Sequence, residues 1–200
     1  MYLSLLHLNP AHKQVRKDTA NPYSMHQTLA QVLGTMPRTL WRLESGGGFD
    51  GLKLLVQTPE RPNWTLLLNR FPGYAELAEN TPKPFDPAFH EEQLLRFRLY
   101  ANPTVSRNGK RHGLYRQEEQ LGWLSARLES VGAKPLRVIV SRRGKLRIPK
   151  NGQVAVLAVG QFDGVLRVEN PDGLTQAVRR GIGHGKAFGL GLLSLARYTE

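Results

Sequence analysis

The order of elements read along the chain predicts an α+β protein built from two tandem βαββαβ units. Three observations carry that expectation. Apolar, β-rich runs and amphipathic helical stretches follow one another as β-α-β-β and, after an ambiguous interval, again as β-α-β-β-α-β. A segment with three prolines, Pro82, Pro84 and Pro87, separates the two halves. The chain has 200 residues, which suits one large domain or two of about 100 each. The second half matches the ferredoxin-like arrangement throughout, and the first half matches it up to its last helix and strand. No internal sequence repeat accompanies the pattern. The expected division is an N-terminal domain over 1–80, a linker over 81–92 and a C-terminal domain over 93–200.

Each element has its own signal. Tyr2 to Leu8 is an apolar strand ended by Asn9-Pro10, and residues 11–20, polar and basic, read as a loop. Asn21-Pro22 is a helix start, with Asn as N-cap and Pro in the first turn. That helix runs to about Leu33, buries Met25, Leu29, Val32 and Leu33, and is stopped by Gly34 and Pro37. Thr39 to Glu44 and Leu52 to Thr58 are strands around a Ser45–Gly48 turn. Trp64 to Leu68 and Tyr74 to Glu79 are weaker, and the pattern places no helix there. Leu94 to Ala101 is a strand in which Arg96 and Arg98 alternate with Leu95, Phe97 and Leu99. Asn102 to His112 reads as a basic loop. Gln117 to Ser130 is a helix with Leu121, Leu124 and Leu128 on one face. Pro135 to Val140 is a strand, and Ser141 to Gly152 a basic hairpin or loop. Val154 to Val159 and Val165 to Val168 are strands around Phe162-Asp163-Gly164. Pro171 to Arg180 is a short helix, and a glycine-rich stretch leads to a last strand at Leu192 to Ala196.

Composition narrows the function. The net charge is +12, from 28 Lys+Arg against 16 Asp+Glu. It is unevenly placed: Arg96 to Lys150 holds 14 basic and 3 acidic side chains. Crowding of one sign costs repulsion in the folded state, so a polyanionic partner is indicated, and nucleic acid is the commonest. A solvated basic surface or one that meets an anionic membrane fits the charge as well. The chain lacks cysteine, which suits a reducing cytoplasm. Its start carries no basic signal-peptide region, and no run approaches the roughly 20 apolar residues of a membrane span.

Several motif matches fail on context. Gly46 to Gly51 fits G-x-G-x-x-G, but a strand follows where a dinucleotide site needs a helix, so it reads as a turn. Gly181-Ile-Gly-His-Gly-Lys186 resembles a phosphate loop but misses the Walker pattern at Arg180 and Ala187. There is no H-E-x-x-H, and the six histidines lack paired metal-ligand spacing, so neither a metal nor a cofactor is expected.

Three pieces in order resemble the CasE family, the repeat-cleaving endoribonucleases of type I-E CRISPR systems. They are Met1-Tyr2-Leu3-Ser4 with Asn21-Pro22-Tyr23-Ser24-Met25-His26-Gln27-Thr28-Leu29; then Leu95 to Pro103; then Phe162-Asp163-Gly164 with the glycine-rich run from Gly181 to Ala196. Together they span nearly the whole chain. The resemblance implies two ferredoxin-like domains, cleavage of precursor CRISPR RNA at its repeat hairpin, retention of the mature crRNA and assembly with other subunits of the Cascade complex. The chain departs from some relatives at Gln27 and Gln31, where they carry basic residues.

The chemistry implied needs no metal. A 2′-hydroxyl is a tethered nucleophile, and intramolecularity supplies much of the rate. The enzyme must align it, move protons and stabilise phosphate charge, leaving a 2′,3′-cyclic phosphate and a 5′-hydroxyl. Tyr23 and His26 stand three apart at a helix start and face one side. A histidine side chain can give or take a proton at neutral pH, so His26 is the general acid for the leaving oxygen or the base for the 2′-hydroxyl. Tyr23 orients the phosphate or the 2′-hydroxyl, and Arg143 or Arg142 stabilises the transition state. Lys186, Gly183 and Gly185 are expected on RNA phosphates, although a plain turn joining helix to strand explains the glycines equally. Arg137, Arg142, Lys145, Arg147 and Lys150 are expected to grip the hairpin stem, which is read mainly by shape and phosphate. A non-catalytic RNA-binding subunit of an RNA-guided complex, with the same fold, is the alternative.

Overall fold

The structure is a computed structural model that describes residues 1–34, 36, 39–45, 51–150 and 152–199, the side chains of Ser45 and Lys150 excepted. The chain folds into two compact units. One comprises Met1–Asp86, Ile148–Val154 and Ala187–Gly189, and the other Pro87–Arg147, Ala155–Lys186 and Leu190–Glu200.

The first unit runs β1 (Tyr2–Leu8), α1 (Lys13–Ala20), α2 (Pro22–Leu33), β2 (Leu40–Ser45), β3 (Leu52–Thr58), α3 (Thr65–Arg70), β4 (Ala75–Leu77) and β5 (Lys83–Pro84). Its sheet has the antiparallel order β2-β3-β1-β4, with β5 also on β1. This is the ferredoxin-like order. Ser4, Leu6 and Leu8 of β1 point inward at period two and meet Met25, Leu29, Val32 and Leu33 of α2, Val15 of α1 and Leu67 of α3. The Trp64 indole N–H donates to the buried Ser4 hydroxyl at 2.8 Å, so the polar member of that row is satisfied.

Residues 11–20 are not a loop: Lys13–Ala20 is helix α1, started by His12, whose Nδ1 accepts from the Gln14 N–H at 3.1 Å. The segment buries only Val15 and Asp18, so it lacks the apolar period by which a helix is recognised. The interval that completes the first βαββαβ unit is α3 and β4, at six and three residues too short for a pattern to emerge. Pro37 and the Gly46–Asp50 part of the glycine turn lie outside the described residues.

The second unit runs β6 (Leu94–Ala101), β7 (Thr104–Arg107), β8 (Lys110–Gly113), α4 (Gln117–Glu129), β9 (Ala133–Lys150), β10 (Gln153–Val168), α5 (Pro171–Arg180) and β11 (Leu193–Arg197), with a 3-10 turn at Lys186–Phe188. The ends of β9 and β10 reach into segments grouped with the first unit. The sheet order is β11-β6-β10-β9, again ferredoxin-like. Leu95, Phe97 and Leu99 of β6, Phe162 and Leu166 of β10, Trp123, Leu124 and Leu128 of α4 and Leu174 and Val178 of α5 form its core. Leu121, expected on the buried face of α4, is half-exposed; Gln120 and Trp123 are buried instead.

The basic loop expected over 102–112 is the hairpin β7–β8. The two strands expected around Phe162-Asp163-Gly164 are one continuous strand, β10. Gly164 marks no turn there. A Cβ on it would lie 2.1 Å from the Arg137 carbonyl oxygen, so it is glycine because β9 passes too close for a side chain. Among the described residues no helix is long and apolar enough to cross a membrane.

Candidate functional site

Helix α2 is started by Asn21, whose Oδ1 accepts from the Tyr23 N–H at 3.0 Å, with Pro22 in the first turn where a missing N–H costs nothing. The Ser24 and Met25 N–H groups donate to the Asn21 carbonyl at 2.9 and 3.2 Å. This end therefore offers the field of its aligned peptides rather than unpaired donors. Residues 23–30 then divide by face. Ser24, Met25, Thr28 and Leu29 are buried, while Tyr23 and His26 are half-buried together on the opposite side.

A buried carboxylate holds this face in place. Asp18 of α1 is 0% exposed. Its Oδ1 accepts from the Ser24 hydroxyl at 2.7 Å and from Gln14 Nε2 at 2.8 Å, and its Oδ2 accepts from the Tyr74 hydroxyl at 2.9 Å. Gln14 Nε2 also donates to Thr28 Oγ1 at 3.2 Å. Ser24 and Thr28, on either side of His26 in sequence, are thus both tied to α1. Burial first, then the Asp18 charge and hydrogen bond, push the Tyr74 phenol far above its ordinary pKa, so it remains a proton donor to Asp18. Asn21 Nδ2 donates to the Pro149 carbonyl at 3.2 Å, which brings the Ile148–Val154 segment to the start of α2 within the first unit.

Of the remaining expected residues, Arg137, Arg142, Arg143, Lys145 and Arg147 lie on β9 in the second unit, all exposed. Among the described residues no carboxylate forms an ion pair with any of them. The side chain of Lys150 lies outside the described residues. The Arg142 guanidinium is 5.9 Å from the Tyr100 ring centroid, and the Lys145 ammonium 5.4 Å from that of Tyr115. Ser141, the neighbour of Arg142, donates to Asp163 Oδ2 at 2.7 Å; Gln161 Nε2 donates to the same oxygen at 3.1 Å, and Arg98 Nε to Oδ1 at 2.5 Å. Burial alone would raise the Asp163 carboxyl, but the bonds from Ser141, Arg98 and Gln161 and the Arg98 charge hold it below the usual carboxylate range.

Gly183, Gly185 and Lys186 occupy the loop after α5. Ile182 is buried and its N–H donates to the Gly191 carbonyl at 2.8 Å; the Gly191 N–H donates to the Tyr100 carbonyl at 2.7 Å. Gly191 has φ +87°, and a Cβ there would lie 2.6 Å from the Ile182 carbonyl oxygen. The loop is thereby closed onto β6. The His184 imidazole is held below its ordinary pKa by burial and then by the Arg111, Arg127 and Lys186 charges. Among the described residues no three His, Asp or Glu side chains are grouped to hold a metal ion.

The structure therefore gathers Tyr23 and His26 on one turn, the five arginine and lysine residues on one strand, and Lys186 with its glycines on one loop. Residues 1–197 match the model of the CRISPR associated protein family. The chain is 41% identical to the CRISPR-associated endoribonuclease Cse3 of Thermus thermophilus, across 98% of this chain and 100% of the relative. It belongs to the CasE/Cse3 family. The Cascade subunit CasE of Escherichia coli K12, another member, is 27% identical across 87% of this chain and 91% of its own length. A solved structure of Thermus thermophilus Cse3 bound to an RNA representing a pre-cleavage complex has a TM-score of 0.88 and 39% identity, covering 98% of each chain.

The resemblance to CasE pointed to Tyr23 and His26 but not to Asp18, Gln14 and Tyr74 beneath them. One signal was available: Gln14 and Asp18 are four apart, the spacing of a helical side-chain pair. Tyr74 had none, because its bond to Asp18 spans 56 residues. Nor did sequence spacing join Asp163 to Ser141 and Arg98, which meet only through the order of the strands.

Proposed function

We propose that this protein is a metal-independent endoribonuclease that binds the stem-loop of CRISPR repeat RNA and cuts the precursor. The 2′-oxygen at the cut attacks the adjacent phosphorus, its proton passing to a base. The bond to the 5′-oxygen breaks and that oxygen takes up a proton, leaving a 2′,3′-cyclic phosphate and a 5′-hydroxyl. His26 serves one of these two proton transfers, and Tyr23 orients the phosphate or the 2′-hydroxyl. Arg143, with Arg142 as the alternative, stabilises the charge that builds on the phosphate. Arg137, Arg142, Lys145, Arg147 and Lys150, with Lys186, Gly183 and Gly185, hold the RNA. The catalytic helix lies in an N-terminal domain, 1–80, joined through 81–92 to the RNA-gripping domain, 93–200. The product stays bound and enters a Cascade complex in the cytoplasm.

One observation carries this reading. An imidazole and a phenol share the outward side of a helix start whose inward side is locked by a buried carboxylate, in a +12 chain of the Cse3 family. Incubation of a labelled repeat hairpin with the protein in excess EDTA tests it. Cutting with a cyclic phosphate end supports the reading. Tight binding that leaves the RNA whole would make the protein a non-catalytic subunit. A hairpin with a 2′-deoxy sugar at the cut must stay intact, since the nucleophile is gone.

A further inference from the structure

Tyr115 stands outside every role assigned so far. The residue is 44% exposed, one of the few large apolar side chains of the second unit left to solvent. Its backbone setting is nevertheless firm. The Leu114 N–H donates to the Pro103 carbonyl at 2.9 Å, and the fully buried Gln120 donates from Nε2 to the Leu114 carbonyl at 2.9 Å. Gly113 leaves room for the phenol: a Cβ there would lie 3.3 Å from the Tyr115 ring carbon and hydroxyl. The ring is thus held in one place while part of it stays open to solvent.

What surrounds it defines the ligand. Tyr115 forms one wall of an open cavity of about 520 Å³ whose other lining includes Ser141, Arg142, Arg143, Gly144 and Lys145. Lys145 already sits 5.4 Å from the ring centroid, and Ser141 is fixed by its bond to Asp163. Three cations supply anion recognition, the phenol ring supplies a flat π surface, and a cavity of this size admits one nucleotide. Stacking of a base on an aromatic ring beside a charged groove is the common way of holding an unpaired nucleotide. A base inside the hairpin duplex is unavailable for it.

We infer that this cavity seats one unpaired nucleotide of the RNA, its base stacked on Tyr115 and its phosphate against Arg142, Arg143 and Lys145. The inference rests on the RNA-binding reading above and adds a specificity element to it. It makes Tyr115 a residue that selects for an unpaired base at one position rather than one that strengthens binding everywhere.

The test is a series of repeat hairpins, each blocked at the cut by a 2′-deoxy sugar and each with one abasic nucleotide outside the stem. Dissociation constants are measured for the wild-type protein, Tyr115→Ala and Tyr115→Phe. In the wild type, removal of one particular base should weaken binding about tenfold. The same RNA should bind Tyr115→Ala no more weakly than the complete hairpin does, because the stacking partner is already gone. Tyr115→Phe should behave as the wild type, since the ring and not the hydroxyl holds the base. If every abasic RNA loses the same factor with Tyr115→Ala as with the wild type, the inference falls while hairpin binding stands. If the wild type does not bind the intact hairpin at all, the RNA-binding reading falls and takes this one with it.

Discussion

Of the three side-chain hydrogen bonds that the Asp18 carboxylate accepts, those from Ser24 and Tyr74 lead to different places, and this permits a controlled comparison. Ser24→Ala removes the 2.7 Å bond that runs to the turn bearing Tyr23 and His26. Tyr74→Phe removes the 2.9 Å bond that runs to the residue just before β4, together with a long 3.5 Å contact from the same hydroxyl to Met25 Sδ on the buried side of α2, too weak to set the position of the turn. Each deletes one hydrogen bond to a charged, fully buried acceptor, worth about 1.5–3 kcal/mol, so urea unfolding should show both variants destabilised by about 2 kcal/mol. Asp18→Ala strips the acceptor from Ser24, Tyr74 and Gln14 at once and should cost about 3 kcal/mol or more, a large part of an ordinary domain's stability. The cutting rates should diverge. Single-turnover cleavage at a temperature where all variants are folded should slow about tenfold in Ser24→Ala, because a small displacement of aligned groups costs rate steeply. Tyr74→Phe should cut at the wild-type rate, and hairpin affinity should be unchanged in both. Equal rates in the two variants would refute the claim that this network aligns the reacting side chains, and leave it as ordinary core.

Other outcomes follow from the same geometry. His26→Ala should lose cleavage by about 10²–10⁴-fold, read by single-turnover kinetics, while filter binding to the hairpin stays near wild type, since one imidazole adds little to a contact with many phosphates. Lys145→Gln should weaken RNA binding and reduce the dependence of log Kd on log salt by about one phosphate contact, measured across a salt series. The folded protein holds the Tyr74 proton above the ordinary tyrosine pKa, so the folded state binds more protons than the unfolded state once pH passes about 10, and stability should fall as pH rises beyond it. Tyr74→Phe should flatten that part of the alkaline denaturation curve. Gly191→Ala places a Cβ against the Ile182 carbonyl in a left-handed conformation, and should lower stability by at least about 1–3 kcal/mol in denaturant titration.

Local chemistry was written plainly in the sequence, and so was the fold class. Asn21-Pro22 starts α2 through a side-chain bond two residues long and a fixed proline φ, neither of which depends on the rest of the chain. The period-two alternation from Leu94 to Ala101 determines which side of β6 is buried, and the charge from Arg96 to Lys150 is a property of composition alone. Tyr23 and His26 share a side because helical geometry repeats every 3.6 residues. Tertiary structure decided whatever depended on partners distant in the chain. Helix α1 exists without an apolar stripe because its buried Asp18 is satisfied by Ser24 and Tyr74, the latter 56 residues away. Gly164 sits inside a strand rather than a turn because β9 crosses against it, which no local propensity for glycine reveals. The mount of Tyr115 is likewise assembled from Pro103, Gln120 and β9. A short-range bond is encoded by neighbours that can be read together, whereas a long-range bond is encoded only in the packing that brings its ends to hydrogen-bonding distance.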